Sequence, residues 1–257
     1  MCFKRSFLQF FVLVFLLITS CSKVEIKSPA NCRLEKIETT GGGNTYLYND
    51  EGYIVKKIQT GGASPDTSFY SYNSSGKIEK IAGNTSVWNY TYGSDGNVNT
   101  LTLSDESSNL IRTEVFSWYA DSVVVVYTNA GNATPNLIRK YSFQGDNLTS
   151  QKDYVYSGGN LTMTQFWDYS NYETALNPYI LLQEQTPGLP ATVSKNVIKN
   201  GTITNTIYTS GTAGTPSVIT IACSYTFQNN LPITEKDTYS SGEVYNTTFS
   251  YQCNIHD

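Results

Sequence analysis

The sequence predicts an all-β fold, an antiparallel meander of repeated hairpins forming a curved sheet, half-barrel or open barrel. Three observations carry this. One spelling recurs as Tyr46-x-Tyr48-x-x-x-Gly52-x-Ile54, Tyr70-x-Tyr72-x-x-x-Gly76-x-Ile78 and Tyr90-x-Tyr92-x-x-x-Gly96-x-Val98. Aromatics two apart on a strand share one face, the glycine permits a tight turn, and self-similarity of this kind marks a repeat architecture. The composition agrees: 20 Tyr and 19 Gly, with abundant Thr, Ser and Asn, supply strand formers and turn formers. Successive hairpins also lie about 20 residues apart, a spacing typical of antiparallel meanders.

Residues 1–20 read as a targeting segment. Lys4 and Arg5 precede an apolar run from Phe7 to Ile18, too short to span a bilayer but the right length for the core of a secretory signal. Leu17-Ile18-Thr19-Ser20-Cys21 resembles the bacterial lipobox, in which the cysteine is acylated and becomes the first residue. The resemblance implies lipidation of Cys21 and a mature chain starting there. Each buried methylene of an acyl chain contributes ~0.8 kcal/mol, so two or three chains hold the protein to a membrane almost permanently. Ser22 rather than Asp follows the cysteine, so the inner-membrane retention signal of enteric bacteria is absent, and Ser22-Lys23-Val24-Glu25 is loosely similar to the surface-export signal of Bacteroidota lipoproteins. The expected location is therefore the outer membrane, on its periplasmic or cell-surface face. Residues 21–31, polar and containing Pro29, read as a flexible tether.

A single β-repeat domain is expected over 32–257. Arg33 to Thr40 forms a first alternating strand, and Gly41-Gly42-Gly43 turns it into the three repeats over 44–103. Val115-Phe116-Ser117-Trp118-Tyr119, a turn at Ala120-Asp121 and the run Val123 to Tyr127 make another hairpin, whose all-apolar return strand suggests burial on both faces. A second spelling follows in Tyr141-x-Phe143 to Asn147-Leu148 and Tyr154-x-Tyr156 to Asn160-Leu161, shortened at Tyr225-x-Phe227 to Leu231. Here Asn stands where glycine did, since it too tolerates a left-handed backbone. Residues 171–200 break the rhythm with Asn177-Pro178-Tyr179, Pro187-Gly188 and Pro190, and read as an irregular insertion packed over an open end of the sheet.

The tyrosine–glycine units are similar to YD (RHS-type) repeats. Together with the lipobox and the Asn-Pro-Tyr insertion followed by Ser194-Lys195-Asn196, they resemble a family of Bacteroidota lipoproteins of unknown function, of the kind labelled DUF4595. The aspartate of the YD pair survives only as Asn49 or Asn73. The resemblance implies a curved antiparallel sheet and supplies no catalytic residues.

Three thiols remain after Cys2 is removed and Cys21 is acylated. Cys32 opens the first strand and Cys253 closes the last, so a disulfide between them would staple the ends of the sheet; Cys223 to Cys253 is equally allowed. No metal site is expected, because there is no Cys-x-x-Cys pair and the sole histidine is His256. That histidine, penultimate in the chain, is also poorly placed for nucleophilic catalysis. No nucleophile elbow, phosphate-binding loop or dinucleotide fingerprint occurs, so neither an enzyme nor a cofactor is expected. A net charge of −4 with scattered Lys and Glu gives no case for nucleic acid. Carboxylates that a glycan hydrolase would need, among Asp50, Glu51, Asp105, Glu106, Asp153 and Asp168, lie mostly in or beside turns, where solvated acids belong.

Aromatic residues are the feature with functional potential. Trp88, Trp118, Trp167, Tyr169 and Tyr179 could form a stacking platform, although a curled sheet also needs large side chains to fill its concave face, and most of them are expected there. Asp121-Ser122-Val123 matches the short O-glycosylation pattern of Bacteroidota, making Ser122 a candidate acceptor. The expected function is a non-catalytic cell-envelope lipoprotein that binds a glycan, peptide or partner protein. A structural subunit of an outer-membrane complex is the alternative, and a carboxylate-based glycan hydrolase comes third.

Overall fold

A computed structural model describes residues 32–62, 65–157, 160–183, 194–206, 208–209 and 212–253. The signal segment, Cys21, the tether and His256 lie outside the described residues. Strands β1 (Cys32–Thr39), β2 (Gly42–Tyr48), β3 (Ile54–Thr60), β4 (Asp66–Tyr72), β5 (Ile78–Ala82) and β6 (Ser86–Tyr92) cover the first repeats. They are followed by β7 (Val98–Asp105), β8 (Leu110–Trp118), β9 (Ser122–Asn129), β10 (Leu137–Gln144), β11 (Asn147–Ser157) and β12 (Asn160–Leu176). A helical turn, α1 (Ile180–Gln183), precedes β13 (Asn196–Asn205), and a two-residue ribbon, β14 (Tyr208–Thr209) with β15 (Thr212–Ala213), stands apart from the main sheet. The chain finishes with β16 (Ser217–Gln228), β17 (Leu231–Tyr239) and β18 (Val244–Cys253).

Sixteen strands form one up-and-down meander, and the barrel is closed. This corrects the expectation of a half-barrel or open barrel. Closure comes from antiparallel pairing of β1 with β18, from Cys32↔Cys253 to Thr39↔Thr247. The disulfide Cys32–Cys253 lies on that seam, with Cα atoms 4.0 Å apart and a sequence separation of 221. Of the two pairings open to the sequence, this is the one formed, and Cys223 is left as a free thiol.

Five of the six hairpins that carry either spelling have one extra residue just inside the return strand; in the Tyr154–Leu161 hairpin the shift comes further on, between Asp153 and Tyr154. The register shifts between Leu47 and Tyr48, Ser71 and Tyr72, and Thr91 and Tyr92, and again at Ser142/Phe143 and Thr226/Phe227. Such bulges increase local twist, and repeated around a sheet they bend it towards closure. The turn between the strands is held by Gly52, Gly76 and Gly96, all at positive φ. At Gly76 a Cβ would also meet the Tyr53 hydroxyl at 2.5 Å, so backbone and packing both call for glycine there.

The second aromatic of each unit explains the spelling. The hydroxyls of Tyr48, Tyr72 and Tyr92 donate to the carbonyls of Leu34, Ile54 and Ile78, at 2.6, 2.8 and 2.6 Å. Trp118 Nε1 does the same to Val98 at 2.7 Å, and Tyr251 to Pro232 at 2.7 Å. The apolar residues are fully buried, and their carbonyls lie just past the last cross-strand pair with the next strand, for example Lys56↔Phe69 for Ile54 and Lys80↔Asn89 for Ile78. One hydroxyl therefore joins each hairpin to its predecessor where the ladder has ended.

These inward rows pack into the lumen in two clusters. One cluster contains Leu101, Phe116, Val123, Val125 and Tyr141, with Trp88, Tyr90 and Trp118 packed against it. A second contains Leu34, Tyr46, Ile54 and Phe249 with Leu182 of α1. In β9, Val123 and Val125 are buried but Val124 and Val126, on the outward face, are half-exposed, so this strand is not covered on both faces as its composition suggested.

Both ends of the expected insertion are strand: residues 171–176 continue β12 and 196–200 begin β13, with the register shifting between Tyr172 and Leu176. Between them, Tyr179 packs edge-on against Phe249, with ring centroids 5.9 Å apart.

Two outcomes follow from this architecture. Tyr92→Phe removes one hydroxyl-to-carbonyl link and should lower unfolding stability by about 1–2 kcal/mol, read by denaturant titration. Cys32→Ser opens the staple on a long loop and should cost about 3–5 kcal/mol, with wild-type protein under reducing conditions matching the variant.

Candidate active or binding site

Strands β12, β13, β16 and β17 and the start of the irregular segment enclose a cavity of about 240 Å³. Strand parity decides what faces it. Tyr225 stands opposite Glu235, Cys223 opposite Asp237 and Ile221 opposite Tyr239, so alternate residues of β16 and β17 point inwards together. From β12 come Trp167 and Tyr169, whose rings stack with centroids 6.2 Å apart, and from the irregular segment comes Tyr179. Gly201 on β13, paired with Tyr169 and Ile221, leaves room at the wall.

The predicted aromatics therefore divide. Trp167, Tyr169 and Tyr179 converge on the cavity. Trp88 and Trp118 instead pack against the lumen cluster, Trp88 beneath the Arg112 guanidinium at 5.5 Å and Trp118 bonded to the Val98 carbonyl. Ser122 lies buried at the start of β9, and a glycan there would have to displace its packing. Of the acids considered from sequence, Asp153 is buried and paired with Arg139 at 2.5 Å, and Asp168 is exposed. Asp105 caps its own turn through Asn109, bonds that hold its carboxyl below the usual range.

Glu235 and Asp237 are the carboxylates brought together, and the sequence reading passed them over. Their ligand atoms and the Cys223 sulfur lie within 4.8 Å of one another. A signal was present: two acids two apart on a strand must share a face, and here it is the face of Tyr225 and Tyr239. Elsewhere in the lumen buried acids have cationic partners, Glu114 with Arg112 and Asp153 with Arg139. Around this cavity no lysine, arginine or histidine stands among the described lining residues.

The electrostatic consequence is visible in the hydrogen bonds. Tyr225 Oη lies 2.8 Å from both the Ile198 carbonyl and Glu235 Oε1, yet it carries one proton. Both contacts are satisfied when Tyr225 donates to Ile198 and a protonated Glu235 donates to Tyr225. Burial, reinforced by repulsion from Asp237, pushes the Glu235 carboxyl up to about 7, and burial also raises Asp237 and the Cys223 thiol. Two polar atoms here are shielded from solvent and without a partner among the described residues, Trp167 Nε1 and Asp237 Oδ1.

No family model matches the chain, and no curated protein does. Solved structures do. A porin-like protein from Bacteroides vulgatus ATCC 8482 superposes with a TM-score of 0.56 at 12% identity, covering 85% of this chain and 98% of that one. A porin-like protein from Bacteroides uniformis ATCC 8492 gives 0.52 at 14% identity, covering 88% and 100%. At such identities the likeness is one of fold.

A raised Glu235 fixes the sign of a pH effect. The folded state holds a proton there that the unfolded chain releases near pH 4.5, so this group's contribution to stability falls as pH rises from about 4.5 to about 7. Glu235→Gln should flatten that decline by about 2–3 kcal/mol, measured as unfolding free energy at pH 5 and pH 8.

Proposed function

We propose that the chain is a lipid-anchored outer-membrane lipoprotein whose barrel stands in water and holds a small ligand, of the glycan-sized class, in the cavity walled by Trp167, Tyr169 and Tyr179. The cavity carries the ligand-binding part of this reading. It is concave, largely aromatic and supplied with a few convergent polar groups, the usual make-up of a small-molecule site.

Charge on the outward face, set among single exposed apolar side chains such as Leu47, Phe69 and Val115, supports a barrel in water. A membrane-spanning barrel presents an apolar band about 25 Å tall with aromatic girdles, and a lysine at its midplane costs about 2–4 kcal/mol. Here the outward positions carry Lys80, Lys140 and Lys236, all exposed, among Thr and Ser such as Ser71, Thr91, Thr220 and Ser224. Lys56 and Lys152 add further charge, each lying over an outward phenylalanine, Phe69 and Phe166. The attachment is then the acyl group on Cys21, as the lipobox resemblance implies, and the lipoprotein family suggested by the tyrosine–glycine units fits the same reading.

Binding without catalysis is favoured by how the acids are placed. Glu235 and Asp237 project from one strand, two residues apart, and approach a ligand from one side. Glycoside hydrolysis needs two carboxyl groups flanking the scissile bond.

Tryptophan fluorescence of the domain from Ser22 onward, titrated with a panel of bacterial, host and plant saccharides and their amino derivatives, tests the ligand. A saturable change lost in Trp167→Ala but kept in Trp88→Ala is expected; no change with any probe would overturn it. Detergent phase separation tests the membrane part: the domain from Ser22 stays in the aqueous phase and the acylated chain partitions into detergent, whereas a spanning barrel would enter detergent in both forms.

A further inference from the structure

Three features of the cavity point to the same kind of ligand. Its walls include Trp167, Tyr169, Tyr179, Tyr225 and Tyr239, and aromatic rings attract cations through their quadrupole. Two carboxyl groups enter it from β17 with no protein cation among the described lining residues, in contrast to the arginine-paired acids elsewhere in the lumen. Asp237 Oδ1 and Trp167 Nε1, both shielded from solvent, have no hydrogen-bond partner among the described residues, so an acceptor and a donor are left to be matched.

We propose that the cavity takes a small organic amine, its ammonium group held between the aromatic faces and the carboxylates of Glu235 and Asp237, and a hydroxyl or carbonyl oxygen accepting from Trp167 Nε1. The proposal rests on the ligand-binding reading of this cavity and narrows it to a charge class. About 240 Å³ accommodates a ligand the size of one amino sugar or a short diamine. An ammonium supplies the donor that Asp237 Oδ1 lacks and the positive charge that lets Glu235 give up its proton and ionise beside Asp237. A neutral sugar supplies only hydroxyls and leaves the acids uncompensated. The free Cys223 thiol stands beside the same acids, so a divalent metal is the competing occupant, and the test includes it.

The test is calorimetric titration of the folded domain from Ser22 with glucosamine, putrescine and choline, set against glucose and N-acetylglucosamine as neutral counterparts and Zn²⁺ as the metal probe. The expected result is saturable binding of at least one amine, at least tenfold tighter than the neutral sugars. Glucosamine alone would identify an amino sugar and putrescine alone an aliphatic amine, whereas choline alone, which has no N–H to donate, would overturn the bond assigned to Asp237 Oδ1. Asp237→Asn and Glu235→Gln, each checked for native circular dichroism, should each weaken amine binding at least tenfold, while Trp88→Ala leaves it unchanged. Neutral sugars binding as tightly as amines would overturn the charge assignment while leaving the ligand-binding reading intact. Zn²⁺ binding that needs Cys223 and excludes amines would overturn it in favour of a metal site. Absence of binding by every probe would overturn it as well, and a saturable fluorescence response to other saccharides would show that the broader reading stands without it.

Discussion

A tyrosine hydroxyl donating to a main-chain carbonyl one hairpin earlier is the interaction on which this barrel depends. Tyr48, Tyr72 and Tyr92 make it, and Trp118 makes it with an indole nitrogen. Each bond sits where the cross-strand ladder has run out, so it extends the join between hairpins beyond the reach of the strands. The same side chain also buries a ring in the lumen. Polar link and apolar filling thus come from one residue type, which is why tyrosine rather than phenylalanine recurs.

From that constraint the rest follows. The donor must stand at a constant height on its strand, which ties the Tyr-x-Tyr pair to the glycine turn four residues on. The acceptor must be the buried residue just after the turn, which fixes the Ile or Val of the spelling. The bulge beyond it re-aims the return strand and adds twist, and sixteen strands so treated come round to meet. A sixteen-stranded barrel can hold a water channel. Here the ring-bearing rows and Leu182 of α1 pack into the interior, and a cavity opens beside Gly201 and Trp167.

Much of this was written in the chain. The Tyr-x-Tyr units at 46, 70 and 90 gave away the hairpins because a period of two and a turn glycine are local properties. Closure was not local: it depends on bulges at positions such as Val55 and Glu79, which carry no compositional mark, and on a seam between strands at opposite ends of the sequence. Trp167, Tyr169 and Tyr179 were singled out with Trp88 and Trp118 because all are large aromatics. Only the fold separates those that face space from those that fill it. Glu235 and Asp237 escaped notice because Thr234-Glu235-Lys236-Asp237 spells an ordinary solvated strand. A shift of one residue would have turned both acids outwards, and their inward aim is set by pairing with Cys223 and Tyr225.

The seam has a further consequence for how such a chain reaches its native state. Neighbouring strands elsewhere in the barrel are also consecutive or nearly so in sequence, with the irregular segment and the β14–β15 ribbon as the long connections, but β1 must wait for β18, more than two hundred residues later. Contacts so distant in sequence are slow to form, and until they do both outer strands present unpaired backbone to any other chain. Oxidation at Cys32 and Cys253 makes that last step hard to reverse. The two thiols then act as a checkpoint: the seam is locked only where conditions are oxidising, and under reducing conditions the two outer strands stay free to part.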